Sequence, residues 1–221
     1  TGKTVAFLLP VLQRLLSLPP AGRRAVRLLV LAPTRELAQQ ISDDARSLTR
    51  HARLSGVTIC GGMSMGAQSR ALRSGVEIVV ATPGRLLDHM THAKAAFANV
   101  EVLVLDEADR MVDMGFWPDV QRIVEALPEH RQTLLFSATT SRDVMKAAKS
   151  IMRDARMMQI GKAGGLASTI THVSHHLDGE QKAGWLNRFL TDTPKHALVF
   201  VRTKRRADRL VQALAAGGHP C

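Results

Sequence analysis

Short apolar runs recur along the chain, and between them apolar and polar positions alternate at helical spacing. The runs are 27–32 (RLLVLA), 57–60, 76–81 (VEIVVA), 100–106 (VEVLVLD), 132–136 (QTLLF) and 197–201 (ALVFV), with a further strand expected at 171–177. Continuous apolar runs of this length suit strands covered on both faces, as in a parallel sheet. Helical patterns fall at about 4–16, 35–50, 65–74, 85–92, 117–127, 141–152, 182–191 and 205–216. This alternation predicts an α/β fold: a parallel sheet with helices on both faces, joined by right-handed crossovers.

The pattern breaks at 161–170 (GKAGGLASTI), where three glycines and small polar residues predict a linker. The expected layout is a first domain over 1–160, a linker over 161–170, and the beginning of a second α/β domain over 171–221. That last stretch is too short to close a domain, and both ends of the chain are expected to be truncated. No apolar run approaches the roughly 18 residues of a membrane-spanning helix, so no membrane partner is expected. Cys60 and Cys221 lie far apart, which argues against a disulfide scaffold and fits a reducing compartment. Met63, Met65, Met152, Met157 and Met158 are expected to fill core gaps.

Charge adds a partner class. Thirty Lys and Arg against nineteen Asp and Glu give a net +11, divided as +6 before residue 160 and +5 after it. Such an excess favours polyanions, nucleic acid first. Aromatics are scarce, with six Phe, two Trp and no Tyr. A binder that stacks bases needs exposed rings. This chain is therefore expected to grip a nucleic-acid backbone.

Unusual polar clusters follow the strands, at the edge where open α/β sheets bind ligands. They are Pro33-Thr34-Arg35-Glu36, Gly61-Gly62, Thr82-Pro83-Gly84-Arg85, Asp106-Glu107-Ala108-Asp109, Ser137-Ala138-Thr139 and Arg202-Thr203-Lys204. Taken singly, each has a plain role in capping. Thr34, Thr82 and Ser137 are good helix N-caps, Pro83 suits a first turn, and Glu36, Glu107 and Asp109 suit the positive end of a helix. Capping does not account for two arginines and paired carboxylates converging on one rim. Helix starts there bind anions through free amides, so a phosphate chain is the natural ligand.

Two clusters sharpen this expectation. Gly2-Lys3-Thr4 precedes an apolar helix and matches the end of the phosphate loop G-x-x-x-x-G-K-[ST], whose lysine holds phosphates while the hydroxyl ligates Mg2+. About a hundred residues later an apolar strand ends in Asp106-Glu107. That placement lets one carboxylate reach a magnesium ion, directly or through water, and sets the next beside the water attacking a γ-phosphate.

These residues together resemble the DEAD-box family of RNA-dependent ATPases. The resemblance runs through GKT at 2–4, PTRELAQQ at 33–40, GG at 61–62, TPGRLLDHM at 82–90, VLDEADRMVDMGF at 104–116, LLFSAT at 134–139 and ALVFVRTK at 197–204. It covers essentially the whole chain, and the flanking wording is most similar to bacterial members. The resemblance implies a RecA-like ATPase domain followed by the start of a second one, acting in the cytoplasm as an ATP-dependent RNA helicase. It implies ATP and Mg2+ as cofactors, with Thr1, Gly2, Lys3 and Thr4 at the nucleotide and Thr4 and Asp106 organising the metal. Lys3, Asp106 and Glu107 would carry catalysis, Glu107 positioning or deprotonating the attacking water. Asp109, Ser137 and Thr139 would couple nucleotide state to domain closure. Thr34, Arg35, Gly62, Thr82, Gly84, Arg85 and Thr203 would line the RNA backbone.

Members of this family also carry a complete phosphate loop, an upstream glutamine motif and late second-domain arginines, none of which is in this sequence. The 221 residues alone are therefore expected to have negligible ATPase activity. Met-Pro usually follows the SAT motif, whereas Thr140-Ser141 stand here; a helix start is expected either way. A non-hydrolysing RNA clamp would keep the basic track without needing Lys3 or Glu107, and a DNA translocase would favour DExH over DEAD. His172, His175 and His176 are not expected to bind metal, because positions 172 and 176 on a strand lie about 13 Å apart.

Overall fold

The structure, a computed structural model, describes residues 2–17, 25–160, 170–193 and 196–220, without the side chains of 93–95. The chain divides into two compact units, Thr1–Gly164 and Gly165–Cys221.

The first unit is built on five strands: β1 (Leu28–Leu31), β2 (Gly56–Ile59), β3 (Ile78–Ala81), β4 (Val102–Leu105) and β5 (Gln132–Leu135). All pair in parallel, in the order β2-β3-β1-β4-β5. The helices are α1 (Lys3–Ser17), α2 (Arg35–Leu48), α3 (Met65–Ser74), α4 (Pro83–Ala93), α5 (Ala108–Asp113), α6 (Trp117–Glu125) and α7 (Arg142–Ile151). Five expected strands and six expected helices are present, with ends moved by no more than two residues. The addition is α5, a six-residue helix directly after the Asp-Glu strand end, too short to leave a periodic signature.

The apolar runs are unbroken because β1, β3 and β4 are buried on both faces, and their side chains still alternate. Leu28, Val30, Ile78, Val80, Val102 and Val104 join the core beneath α1 and α2. Leu29, Leu31, Val79, Ala81, Leu103 and Leu105 join the core beneath the other helices. Fully burying one such side chain stabilises by roughly 1.5–3 kcal/mol, so neither face tolerates a polar residue cheaply.

Register decides where the loops land. Leu31 lies opposite both Ala81 and Leu105, Ile59 opposite Ala81, and Leu105 opposite Leu135. All five strands therefore end level, and the residues that follow them share one edge. The loop after β1 turns to the α2 face while those after β3 and β4 turn to the other, and that divergence opens a crevice.

At the opposite edge a partly buried ion pair ties α1 to the sheet. The Arg27 guanidinium, 4% exposed, donates to Glu101 at 2.5 Å and to the Leu15 carbonyl at 2.9 Å. Leu15 is near the end of α1 and Arg27 immediately precedes β1, so α1 runs antiparallel to the strands. Fifteen residues of helix span about 22 Å, against about 13 Å for a four-residue strand, which carries the start of α1 to the carboxyl edge.

The described residues of the second unit form two helices, α8 (Gln181–Asp192) and α9 (Lys204–Ala216). The strands expected at 171–177 and 197–201 are not formed there. An apolar run becomes a strand only where a neighbour takes its amides and carbonyls, and among the described residues of this unit no ladder partner exists. Leu198 and Phe200 stand 81% and 85% exposed. The ring of His175 instead lies 4.5 Å from that of Trp185, which stacks on Phe189. The expected linker, 161–170, lies outside the described residues except for Ile170.

The methionines also differ from expectation. Met63, Met65, Met157 and Met158 are exposed, and only Met152 packs against the core. Met63 lies in the glycine turn after β2 and Met65 opens α3, and their sulfurs approach Cys60 and Arg85 rather than filling a gap.

The Arg27–Glu101 pair yields an ordered prediction. Glu101→Ala strands a buried guanidinium and should cost about 2 kcal/mol, less than for a fully buried pair because Glu101 is 33% exposed, whereas Arg27→Met, which replaces the charge by an apolar chain of similar length, should cost less. Denaturant titration of both variants checks the order; equal losses would mean that packing, not charge, holds α1 to the sheet.

Candidate functional site

Strand order divides the level edge into two halves. The loops after β2, β3 and β1 bring Gly62, Thr82, Gly84, Arg85, Thr34 and Arg35 to one side. The start of α1 and the loops after β4 and β5 bring Lys3, Thr4, Asp106, Glu107, Asp109, Ser137 and Thr139 to the other.

The second half is acidic and partly buried. Thr4 and Asp106 are 6% and 4% exposed, and Lys3 is half-buried. The ring of Phe7, one turn into α1, lies 5.3 Å from that of Phe136, which follows β5. Burial pushes the Asp106 carboxyl above its ordinary value; the Glu107 amide, which it accepts at 3.0 Å, and the nearby Lys3 ammonium pull it back down. Lys3 and Asp106 thus meet on one rim. Glu107 has φ 51 and ψ 52, a left-handed conformation rare for a side chain of its size. Its carboxylate accepts from Arg110 at 3.2 Å. A buried carboxylate near a lysine, with a buried threonine next to that lysine in the chain, is a donor set that fits Mg2+ and a phosphate chain.

Asp109 joins two clusters of the sequence. Its Oδ2 accepts the amides of Ala138 at 3.2 Å and Thr139 at 3.0 Å, while the Ser137 hydroxyl donates to the Thr139 carbonyl at 2.7 Å. Asp109, Ser137 and Thr139 are therefore one hydrogen-bonded unit. Ser137 is not a helix cap: with the next amides bound to Asp109, the chain turns and α7 begins at Arg142, capped by Ser141. The helix start expected at Thr140-Ser141 is there.

The first half is basic and more open. Thr34 caps α2 by accepting from the Leu37 amide at 3.2 Å, as expected of a threonine before a helix, and Pro83 opens α4. Gly62 has φ 75, and the Arg35 guanidinium covers the space a Cβ would need. Arg85 donates to the Met63 carbonyl at 3.4 Å. The two arginines thus lie over the glycine turn from either side. Gly2 and Gly84 are exposed.

Thr1 lies outside the described residues. Thr203, in the second unit, caps α9 by accepting from the Arg206 amide at 3.3 Å. Sequence reasoning missed two features. One is the Arg110 contact to Glu107, which a three-residue spacing on a helix start could have signalled. The other is a buried polar chain beneath the glycine turn. His89 Nε2 lies 2.9 Å from Gln68 Oε1, and Gln68 Nε2 donates to the Cys60 carbonyl at 3.0 Å. Burial and then Arg85 and His92 lower the His89 pKa, with Asp88 opposing them.

Comparison with known proteins agrees with this geometry. The family model described as DEAD/DEAH box helicase matches residues 1–147. The chain is 38% identical over 217 residues to the DEAD-box ATP-dependent RNA helicase RhpA of Helicobacter pylori (strain B128), covering 98% of this chain and 43% of that protein. It is 39% identical over 225 residues to the ATP-dependent RNA helicase RhlB of Pseudomonas syringae pv. tomato, covering 99% and 57%. It is 38% identical over 220 residues to the DEAD-box ATP-dependent RNA helicase CshA of Bacillus cereus, covering 99% and 41%. The chain spans about half the length of these relatives. With its family model matched over two thirds of its length and its motifs gathered on one sheet edge, this chain belongs to the DEAD/DEAH box helicase family.

Proposed function

We propose that the whole protein is a cytoplasmic ATP-dependent RNA helicase that couples ATP binding and hydrolysis to local unwinding or remodelling of RNA. One observation carries the reading: an acidic half-rim built for a phosphate chain and a metal adjoins a basic half-rim built for a polyanion, on the level end of one sheet. We also assign 1–160 to a first RecA-like domain, 161–170 to a linker and 171–221 to the beginning of a second; the division of the chain at Gly164 supports that layout.

Lys3, with the amides of Thr1, Gly2 and Thr4, binds the β- and γ-phosphates. Thr4 and Asp106 hold Mg2+. Those two residues would hold the ion, and its positive charge would offset the negative charge developing on the phosphates. Glu107 orients the attacking water and accepts its proton, which requires release of its carboxylate from Arg110. Asp109 passes the state of this half to Ser137 and Thr139. Thr34, Arg35, Gly62, Thr82, Gly84 and Arg85 follow the RNA backbone through phosphates and 2′-hydroxyls, joined by Thr203 of the second domain, so little base specificity is expected.

Three measurements test this. In the full-length protein Glu107→Gln should lower RNA-stimulated ATP hydrolysis by about a hundredfold or more while ATP still binds, the loss of a general base being worth 10²–10⁴. An unchanged rate would favour a non-hydrolysing clamp. RNA affinity should fall with salt at a log–log slope near −3, from about four phosphates at roughly −0.7 each; a flat response removes the backbone track.

The third concerns Asp106. Its folded pKa is raised, so the folded state holds the proton more tightly than the unfolded chain. Stability therefore rises as pH falls through the raised value, and at neutral pH the ionised group is a cost. Asp106→Asn should stop turnover yet stabilise the domain by about 1 kcal/mol, read as a higher melting temperature. A lower one would mean that Lys3 more than offsets the burial.

A further inference from the structure

The polar chain under the glycine turn has a direction fixed by its last member. The Cys60 carbonyl can only accept, so the Gln68 amide nitrogen must face it and Gln68 Oε1 must accept from the other side. His89 then carries its hydrogen on Nε2, and Nδ1 is left to accept from the Ser69 hydroxyl 3.4 Å away. Gln68 and His89 are 3% and 2% exposed. A buried amide and imidazole are costly unless each is paired, so any break in the chain leaves an orphaned group.

What the chain joins matters more than that it is closed. Cys60 immediately precedes Gly61-Gly62, Gln68 lies on α3, and His89 lies in the second turn of α4, whose first turn carries Gly84 and Arg85. Besides the strand-end bond from the Thr82 amide to the Ile59 carbonyl at 3.0 Å, Arg85 makes long contacts to the Met63 carbonyl at 3.4 Å and the Met65 sulfur at 3.5 Å. Among these side-chain connections the Gln68–His89 link, at 2.9 Å, is the shorter and the buried one.

We infer that Gln68 and His89 are positioning residues that hold the glycine turn in fixed relation to the start of α4, so that the basic half-rim is set for a nucleic-acid backbone before it arrives. Neither side chain touches the RNA. This rests on the reading of that half-rim as the RNA track. A preset surface spends less of its binding energy on ordering, and a displacement of about 1 Å in a supporting group is enough to weaken a site.

The test uses the full-length protein with a fluorescein-labelled single-stranded oligouridylate, a non-hydrolysable ATP analogue and Mg2+. A glutamine at 89 can still present a donor where Nε2 stood; an asparagine cannot reach Gln68. His89→Asn and Gln68→Met should each weaken RNA binding about five- to tenfold, the effect of losing one buried hydrogen bond of about 1 kcal/mol. His89→Gln should stay within about twofold of the parent, and all three should leave the affinity for the nucleotide analogue unchanged. The inference is overturned if His89→Asn binds RNA as tightly as His89→Gln, or if nucleotide affinity falls in step with RNA affinity, as general loosening of the domain would produce. Should His89→Asn not fold, Gln68→Met against His89→Gln makes the same comparison. Arg85→Ala distinguishes the track from its support. If it leaves RNA affinity intact, the RNA track itself is misplaced; if it weakens binding while Gln68→Met does not, only the positioning role fails.

Discussion

Everything functional in this chain depends on parallel strands that end level with one another. Pairing Leu31 with both Ala81 and Leu105 sets three central strands in one register, and the neighbours on either side continue it. A slip of one residue would turn each strand's side chains to the opposite face, so burial on both faces locks the alignment. The loops inherit that alignment. Clusters separated by twenty residues or more in sequence are adjacent because their strands stop together.

The order of strands then sorts the chemistry. The loop after β1 sits at the centre, with glycine- and arginine-bearing loops to one side and carboxylate-bearing loops to the other. Hydrogen bonds run across loop boundaries within each half, as from Asp109 to Ala138 and Thr139 and from Arg85 to Met63. Those crossings give a physical route by which a change at one loop reaches the next.

The sheet is legible in the sequence because two-sided burial leaves no polar residue inside β1 or β4, and a run such as VLVL suits little besides a strand covered on both faces. The same rule misleads at 171–177 and 197–201, since apolar character allows a strand but only a neighbour makes one. The rim clusters are legible because capping accounts for each singly and not for their shared edge. Ser137 reads as a cap because serine before a helix usually is one; the Asp109 carboxylate competes for the following amides, and nothing local signals it. The pairing of Gln68 with His89 leaves no trace either, as two polar residues on separate helices have no period to betray them. Exposed methionines mislead for the converse reason: residue type predicts burial only on average.

The backbone at Glu107 carries a consequence for anyone who evolves this protein for heat resistance. A glutamate held at φ 51 occupies a region that glycine enters freely and asparagine enters readily. Replacing it there would relieve roughly 1 kcal/mol of conformational strain, so a screen that rewards folding alone will drift toward glycine at this position. The thermostable winners of such a screen would have discarded the acid to which the proposed mechanism assigns the attacking water. Selection for endurance has to be coupled to selection for turnover from its first round.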